Sequence, residues 1–507
     1  MNKIVFFFFY LIPSIIIFIH LLNILWTSTN NSRAKSAKSV QLFSNDKASG
    51  DAMSEGKPEP EEPEPPKIPD VELIVDGFGF MPKDYPYPEI KAANHQEQSP
   101  CASSTNIDIV RRYTWKTKNR MLVQIISFGA TMTSIQVPDR KGVPDDVIAG
   151  FDTFEEYLQP RNPYFGATIG RYANIIRDGT MVVRPSGKMY MLSTNHGRDH
   201  YNGGYVGFDK VNWRSYVTGN KVIMSHVSER FHEGYPGTMM AQICFEVTCD
   251  NTIKIEMKCT TSEPTIVNLS NALYFNLAGH HAGSVCTYDH IFTINADKYT
   301  AVDDDGLITG EKKIVGGTPY DFRVPRVLST VLPKIPQGGY DINFCITQGT
   351  EQDLTFQSRA LHPGTGRVLE VYSNQPGMQF YTGNLLPDPD KIIEVINYYE
   401  PVADDRDEGE NAESVSSVSS SLQLPFFYVV IIYYYILSLQ GKRSFGYVPL
   451  LGKQGAIYKK HGLFCLMPQN YPDAINHKNF PNSVLNPGEV YVHKIQYKFG
   501  ILLGKYV

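Results

Sequence analysis

The sequence is poor in cysteine and lacks the cysteine spacing of a metal site. Its 507 residues include seven cysteines, with no C-x-x-C pair and no mixed set of cysteine and histidine at ligand spacing. Several lie in apolar stretches, such as Cys244 in QICFEV and Cys345 in NFCITQ. The pattern favours reduced, buried thiols in a cytosolic compartment over a disulfide framework. No metal site is expected.

Clustered positive charge is also missing. The chain has 47 lysines and arginines against 52 acidic residues, for a net charge of −5, and its basic residues are scattered. Proteins that bind nucleic acid concentrate basic residues on one face or along one element. We therefore expect no nucleic-acid partner.

Sustained helical periodicity is absent between Val110 and Asn384. This region instead has short apolar or alternating runs, such as LVQIISF and AQICFEV, separated by glycine, asparagine, aspartate and proline. Alternation with a period of two, with turn residues in between, is typical of antiparallel strands. The sequence therefore predicts an all-β fold, a large antiparallel β-sandwich, and argues against a doubly wound nucleotide-binding fold.

Several longer motifs occur along the chain in a fixed order. They are VQIISFGATMTSIQVPD from Val123, GATIGRYAN from Gly166, GGYVGFDKVNW from Gly203, NLSNALYFNLAG from Asn268 and FCLMPQNYPDAIN from Phe464. Together they resemble the aldose 1-epimerases, or galactose mutarotases. The resemblance implies a galactose mutarotase-like sandwich that interconverts the α and β anomers of aldoses such as galactose and glucose, without a cofactor.

The chain departs from this family at the positions that carry the chemistry. In the family, F-C-L-E-T-Q supplies a glutamate that takes the proton from the anomeric hydroxyl, whereas this chain reads FCLMPQ with Met467 there. The acid, a histidine in N-H-S-Y-F-N-L-A-G, is matched by Ala272. Further family histidines are matched by Asn202 and Ile342, and the sugar-binding arginine of A-N-R-I by Ile175. A thioether or a methyl group cannot exchange a proton, so no catalytic residue is expected to be intact.

Other polar residues remain where the resemblance places the sugar. The candidate substrate-binding residues are Asn174, Asn202, Tyr274, Asp341 and Gln379. Asp341 is the strongest candidate, because an isolated acid in an apolar strand needs a reason to be there. Two alternatives stay open: Asn174 as a turn residue, and Gln379 as a hydrogen-bond partner within a strand.

Four histidines lie near the motifs and could in principle replace the missing base. They are His200, His280, His281 and His461. A surface or capping role is the simpler interpretation of each, and His280 and His281 follow a glycine in AGHHAG, which indicates a loop. The sequence therefore predicts no replacement base.

The beginning of the chain is unlike the family. Residues 1–31 form an apolar signal-anchor or transmembrane segment by composition, with an almost unbroken apolar run at residues 4–26. No small-residue cleavage site follows it, which favours an uncleaved membrane anchor. The basic residues that come next favour a cytoplasmic domain. Residues 32–100, rich in proline and glutamate, predict a disordered linker.

An insert interrupts the predicted sandwich. We expect residues 101–384 and 450–507 to form the two parts of one sandwich, and residues 385–449 to be an insert, mostly disordered, with an apolar run. A single membrane crossing inside the insert would put the two parts on opposite sides of the bilayer. The insert is therefore a surface excursion, a re-entrant patch, or sequence that is spliced out of the usual product.

Two classes of function remain after these observations. One is a carbohydrate-binding pseudoenzyme that holds an aldohexose weakly; the other is an active aldose 1-epimerase. Fold favours neither, because a fold does not fix a function. A misassembled gene product is a third possibility, and the oligomeric state is left open.

Overall fold

The computed structural model describes residues 69–83, 85, 108–183, 186–349, 353–388 and 449–504. The predicted apolar segment at 1–31 and nearly all of the predicted insert at 385–449 lie outside these residues, as does most of the predicted linker. Within the described part, none of the helices has the length and apolar character needed to cross a membrane.

Strands make up most of the described secondary structure. The first part of the chain contains β1 Val71–Phe80, β2 Ile109–Thr117, β3 Leu122–Ile126, β4 Thr131–Pro138, β5 Pro144–Asp146, β6 Thr168–Ile169, β7 Ile175–Ile176, β8 Thr180–Val183, β9 Lys188–Met191 and β10 His200–Tyr201. The middle contains β11 Arg214–Thr218, β12 Lys221–Ser228, β13 Met239–Val247, β14 Thr252–Thr261, β15 Thr265–Ile266, β16 Ser270–Asn271, β17 Tyr274–Phe275, β18 Ile291–Ile294, β19 Ala296–Val302 and β20 Ile308–Ile314. The last part contains β21 Arg326–Val327, β22 Asp341–Ile346, β23 Thr355–Leu361, β24 Arg367–Ser373, β25 Gly377–Tyr381, β26 Leu450–Leu451, β27 Ile457–Tyr458, β28 Phe464–Gln469, β29 Val484–Leu485 and β30 Tyr491–Ile501. Three short helices accompany them: α1 Phe154–Tyr157, α2 Gly283–Tyr288 and α3 Leu328–Val331.

Two large antiparallel sheets enclose one hydrophobic core. The nine-stranded sheet has the order β11-β12-β13-β14-β30-β24-β23-β18-β21, and the six-stranded sheet has the order β17-β28-β25-β22-β19-β20. Buried side chains of both sheets meet in the core, including Phe292 and Ile495 from the larger sheet and Phe380 and Phe464 from the smaller. This confirms the predicted all-β sandwich.

The alternation of side chains explains why these segments are strands. In β13 the residues Met239, Ala241 and Ile243 are buried, while Met240 and Gln242, between them, are exposed. A strand with one apolar and one polar face buries the apolar face against a second layer. The period-two runs in the sequence therefore correspond to strands with one face in the core.

Strands from the end of the chain lie inside both large sheets. β28 pairs with β25, and β30 pairs with both β14 and β24. Residues 450–501 thus complete sheets that begin before the predicted insert.

Part of the predicted linker is a strand. β1 (Val71–Phe80) pairs with β2 and forms the edge of a five-stranded sheet, order β1-β2-β3-β4-β5. Arg112 and Asp76 form an ion pair across the two strands at 2.5 Å, and Phe78 packs against a buried cluster of the domain. The linker prediction for 32–100 is wrong over this strand. The proline-rich tract before this strand dominates the composition of residues 32–100, whereas VELIVDGFGF carries enough apolar side chains to pair and pack.

Hydrogen bonds connect the described residues on the two sides of the gap at 389–448. The Lys460 backbone N–H donates to the Pro387 carbonyl at 2.9 Å, and the His461 N–H donates to the Gly383 carbonyl at 3.3 Å. Further along, Lys453 is buried and donates from Nζ to Asp146 Oδ2 at 2.6 Å and to the Thr133 carbonyl at 2.8 Å. The chain after the gap is therefore fastened to strands from before it.

Replacing Lys453 with methionine should destabilise the domain, because the Asp146 carboxylate would stay buried without its cation. Breaking a buried ion pair costs about 3–5 kcal/mol, and we expect the lower end, about 3 kcal/mol, because Ser134, Ile135 and Ile148 still donate to Asp146. Urea unfolding at neutral pH measures the change.

The matched control is Lys494→Met, which removes a lysine that pairs with the exposed Asp353. Exposed pairs contribute little, because water screens them. Equal losses of stability in the two variants would contradict a structural role for the buried pair.

Candidate functional site

Four neighbouring strands of the six-stranded sheet present a set of side chains on one face, which we call the site face. Across β22, β25, β28 and β17, one row of directly paired residues contains Asp341, Tyr381, Cys465 and Tyr274, and the adjacent row contains Asn343, Gln379 and Met467. Because side chains alternate between the two faces of a strand, Ile342, Phe380 and Leu466 point the other way, into the core. Ile342 therefore lies outside the site.

Asp341 is the acidic group of the site face. Gln379 Nε2 donates to Asp341 Oδ1 at 2.7 Å. Asp341 is exposed to solvent, yet the protein atoms around it partly desolvate its charge. Burial raises the pKa of Asp341 to about 6, and the hydrogen bond from Gln379 opposes the rise. At neutral pH the group is mainly an ionised acceptor.

Three tyrosines surround this carboxylate: Tyr201, Tyr274 and Tyr381. Burial raises the pKa of each hydroxyl, and the negative charge of Asp341 adds to the rise. Burial likewise raises the pKa of the Cys465 thiol, with Asp341 again adding to the effect. These groups stay protonated at neutral pH, so they can donate hydrogen bonds but cannot serve as bases.

The two positions that the resemblance assigns to the acid and the base lie in an apolar part of the site face. Ala272 is buried, and Met467 packs against the same cluster of side chains, which includes Tyr274 and Cys465. Ser270 Oγ donates to the Pro468 carbonyl at 2.9 Å, which holds the segment before β17 against β28. Neither side chain can transfer a proton.

The side-chain oxygens of Asn174 and Asn202 accept hydrogen bonds from the backbone of the loop. Both have a left-handed backbone, with φ of 71° and 49°, which asparagine tolerates better than most residues. Asn202 Oδ1 accepts from the Asn174 N–H, and Asn174 Oδ1 accepts from the Ile175 N–H, each at 2.8 Å. Asn174 therefore lies in a bend of the chain, and these bonds position the strands that carry Ile175 and Tyr201.

Ile175 adds an apolar edge to the site. It packs against a cluster that includes Ile308, Cys345, Tyr471 and Phe480. Where the resembling family has an arginine, the chain presents a side chain without donors.

The four histidines considered as replacements are engaged elsewhere. His200 is buried, with Nδ1 2.7 Å from the Ser193 carbonyl and Nε2 2.6 Å from the Tyr235 hydroxyl, and burial lowers its pKa to about 4. The others contact aromatic groups: His280 Nδ1 lies 3.0 Å from the Tyr458 hydroxyl, His281 packs on His280, and His461 Nδ1 lies 2.9 Å from the Tyr288 hydroxyl.

The structure brings together three of the predicted residues, Tyr274, Asp341 and Gln379, with three that were not predicted: Tyr201, Tyr381 and Cys465. Two of the missed residues had a signal. Tyr381 is two residues after Gln379, and Cys465 is two residues before Met467, so period-two alternation puts each pair on one face. Tyr201 comes from a distant strand, and its proximity depends on how the chain folds.

Comparison with known proteins agrees with this architecture. A family model for aldose 1-epimerase matches residues 111–498. Galactose mutarotase of Bos taurus is 38% identical over 383 residues, which cover 76% of this chain and 92% of the relative. Galactose mutarotase of Homo sapiens is 38% identical over 379 residues, which cover 75% and 91%. The crystal structure of an aldose epimerase homologue from C. elegans, 23% identical, matches 76% of this chain and 97% of its own with a TM-score of 0.59, and shows the shared fold.

The raised pKa of Asp341 predicts a pH-dependent stability. The folded state binds this proton more tightly than the unfolded state, since the pKa rises from 3.8 to about 6. The stabilising contribution is therefore full below pH about 4 and is lost as pH rises through about 6. Relative to Asp341→Asn, the unmodified protein should lose stability over this window, as urea unfolding at a series of pH values would show.

The control variant Asp353→Asn, which changes an exposed aspartate, should show the same pH dependence as the unmodified protein. Parallel curves for Asp341→Asn and the unmodified protein would contradict the assignment.

Proposed function

The chain belongs to the aldose 1-epimerase family, and from this premise we propose that it is a carbohydrate-binding pseudoenzyme. In this proposal the interconversion of α and β anomers of aldohexoses such as galactose and glucose is lost or severely impaired. The observation that supports this proposal is the position of Met467. It lies opposite Gln379 on the site face, where the family has its base.

Ring opening of an aldose requires two groups that transfer protons. One group must take the proton from O1 while another protonates the ring oxygen, and the same pair then closes the ring on the other side. Each positioned acid or base typically contributes about 10²–10⁴-fold in rate. With Met467 and Ala272 at these positions, both contributions are missing.

Asp341 is badly placed to replace the base. It lies on β22, and β25 separates β22 from β28, which carries Met467. Neighbouring strands are about 4.8 Å apart, so the two positions are separated by roughly 10 Å across the sheet. A base must come within hydrogen-bond distance of the proton it takes. Asp341 therefore suits a different hydroxyl of the sugar.

The polar groups that remain on the site face support weak sugar binding. A carboxylate can accept from two hydroxyls, and charge-assisted hydrogen bonds are the strong ones, so Asp341 should supply most of the affinity, with help from Gln379. Ile175 offers no donors in place of the family's arginine. We expect dissociation constants of about 1 mM or weaker, a binding free energy of about −4 kcal/mol or less favourable.

A second candidate is an active aldose 1-epimerase. The 38% identity with named galactose mutarotases over nearly their whole length favours it. Met467 and Ala272 argue against it. The rate of mutarotation distinguishes the two candidate functions.

Polarimetry on α-galactose and α-glucose distinguishes them. The protein should mutarotate neither sugar faster than buffer by more than a small factor, because it lacks both proton-transfer groups. The double variant Met467→Glu with Ala272→His should gain measurable rate. As a matched control, Met467→Gln with Ala272→His adds polarity without a base and should stay inactive. Turnover by the unmodified protein within roughly 100-fold of a galactose mutarotase assayed in parallel would establish the active enzyme instead.

Titration with galactose tests binding. Chemical shifts of site-face residues should move with galactose, and Asp341→Asn should weaken the binding by about tenfold or more, since a charge-assisted hydrogen bond is worth about 1.5–3 kcal/mol. Asp353→Asn, which alters an acid outside the site face, should leave the binding unchanged. An unchanged affinity in Asp341→Asn, or no shift with any sugar, would contradict the proposal.

A further inference from the structure

The site face has a polar end and an apolar end. At the polar end, Gln379 donates to Asp341, and Gln469 Nε2 lies 3.5 Å from Gln379 Oε1. Gln469 Oε1 and the side-chain amide of Asn343 are buried on this face without a hydrogen-bond partner. The polar end therefore has unused hydrogen-bonding capacity in addition to the carboxylate.

The apolar end is continuous with a buried cluster. Ala272 belongs to the cluster that contains Phe165, Tyr274 and Cys465, and Met467 packs against it; the rings of Phe165 and Tyr274 lie 5.0 Å apart. The backbone of Ala272 is already paired, since its N–H donates to Ala167 and its carbonyl accepts from Gly166. Phe165 and Ala272 are buried, whereas Met467 is only partly buried, so this end offers a ligand chiefly the Met467 thioether.

Burial acts strongly on the titratable groups at this end. It raises the pKa of both the Tyr274 hydroxyl and the Cys465 thiol well above their ordinary values. Desolvation of this kind marks a region where water is largely excluded. A ligand hydroxyl placed against the Met467 thioether would lose its hydrogen bonds to water and meet only a weak acceptor.

We propose that the site takes a glycoside, a hexose whose anomeric oxygen carries an alkyl or aryl group, in preference to the free aldose. The sugar hydroxyls bind at Asp341 and Gln379, and the apolar group packs on Met467 and Ala272. This inference rests on the proposed function, under which the anomeric oxygen faces Met467.

The two ends together select this ligand over simpler ones. A purely apolar molecule would leave the second oxygen of Asp341 and the unpaired Asn343 amide without a ligand partner, which is unfavourable for groups that the protein desolvates. A free aldose would place its anomeric hydroxyl against the thioether. A glycoside satisfies both ends. Its ring also cannot open, because no proton remains on the anomeric oxygen, so its binding is independent of any mutarotation.

Calorimetric titration of the full chain with galactose, methyl β-galactoside and n-butyl β-galactoside tests the inference. The butyl glycoside should bind about tenfold or more tightly than the methyl glycoside, since each buried methylene adds to the affinity. Met467→Glu should remove this gain by placing a charge at the apolar end, while Met467→Leu, which keeps the surface apolar, should retain it. Asp341→Asn should weaken both glycosides. Thermal unfolding of each variant verifies that it is folded.

The remaining outcomes separate this inference from the proposed function. If galactose binds but the butyl group adds nothing, the glycoside preference is wrong and sugar binding stands. If n-butanol alone binds as tightly as n-butyl β-galactoside and Asp341→Asn has no effect, the site is only apolar, and both ideas are wrong. If no sugar or glycoside binds, both are again overturned.

Discussion

The register between β25 and β28 is the constraint on which the rest of the structure depends. It places Phe380 against Leu466 on the core side and, one residue along, Gln379 against Met467 on the site side. A shift by one residue would exchange the two faces of a strand. The buried aromatic side chains therefore hold the polar ones in place, and the composition of the site follows from the packing of the core.

Desolvation gives the acidic group of the site its electrostatic character. Two causes set the pKa of Asp341, burial and the hydrogen bond from Gln379, and no cation is among them. An arginine nearby would lower the pKa of a carboxyl by favouring the charged form, whereas Ile175 leaves desolvation dominant. Asp341 is therefore easier to protonate than a carboxyl paired with a cation.

The sequence allowed a good prediction of the fold, because period-two alternation is local and ordered motifs carry the family pattern. It also located Asp341, Gln379 and Tyr274, which lie on neighbouring strands of one sheet. Tyr201 required knowledge of a contact between distant segments, which no local pattern contains. The sequence did not predict β1, because its ten residues contribute less to the composition of residues 32–100 than the proline-rich tract before them. The roles of Asn174 in a bend and Ile342 in the core became clear only from backbone angles and side-chain direction.

The edge position of β1 has a consequence for shortened forms of the protein. β1 covers one side of β2 along the register from Val71 opposite Thr117 to Phe80 opposite Ile109. A chain that began at residue 101 would leave the N–H and carbonyl groups of that side of β2 unpaired. Bare strand edges pair readily with other molecules. Such a fragment would expose β2 as a new edge of the sheet, so a segment that the sequence assigns to a linker forms the outer strand on which the pairing of β2 depends.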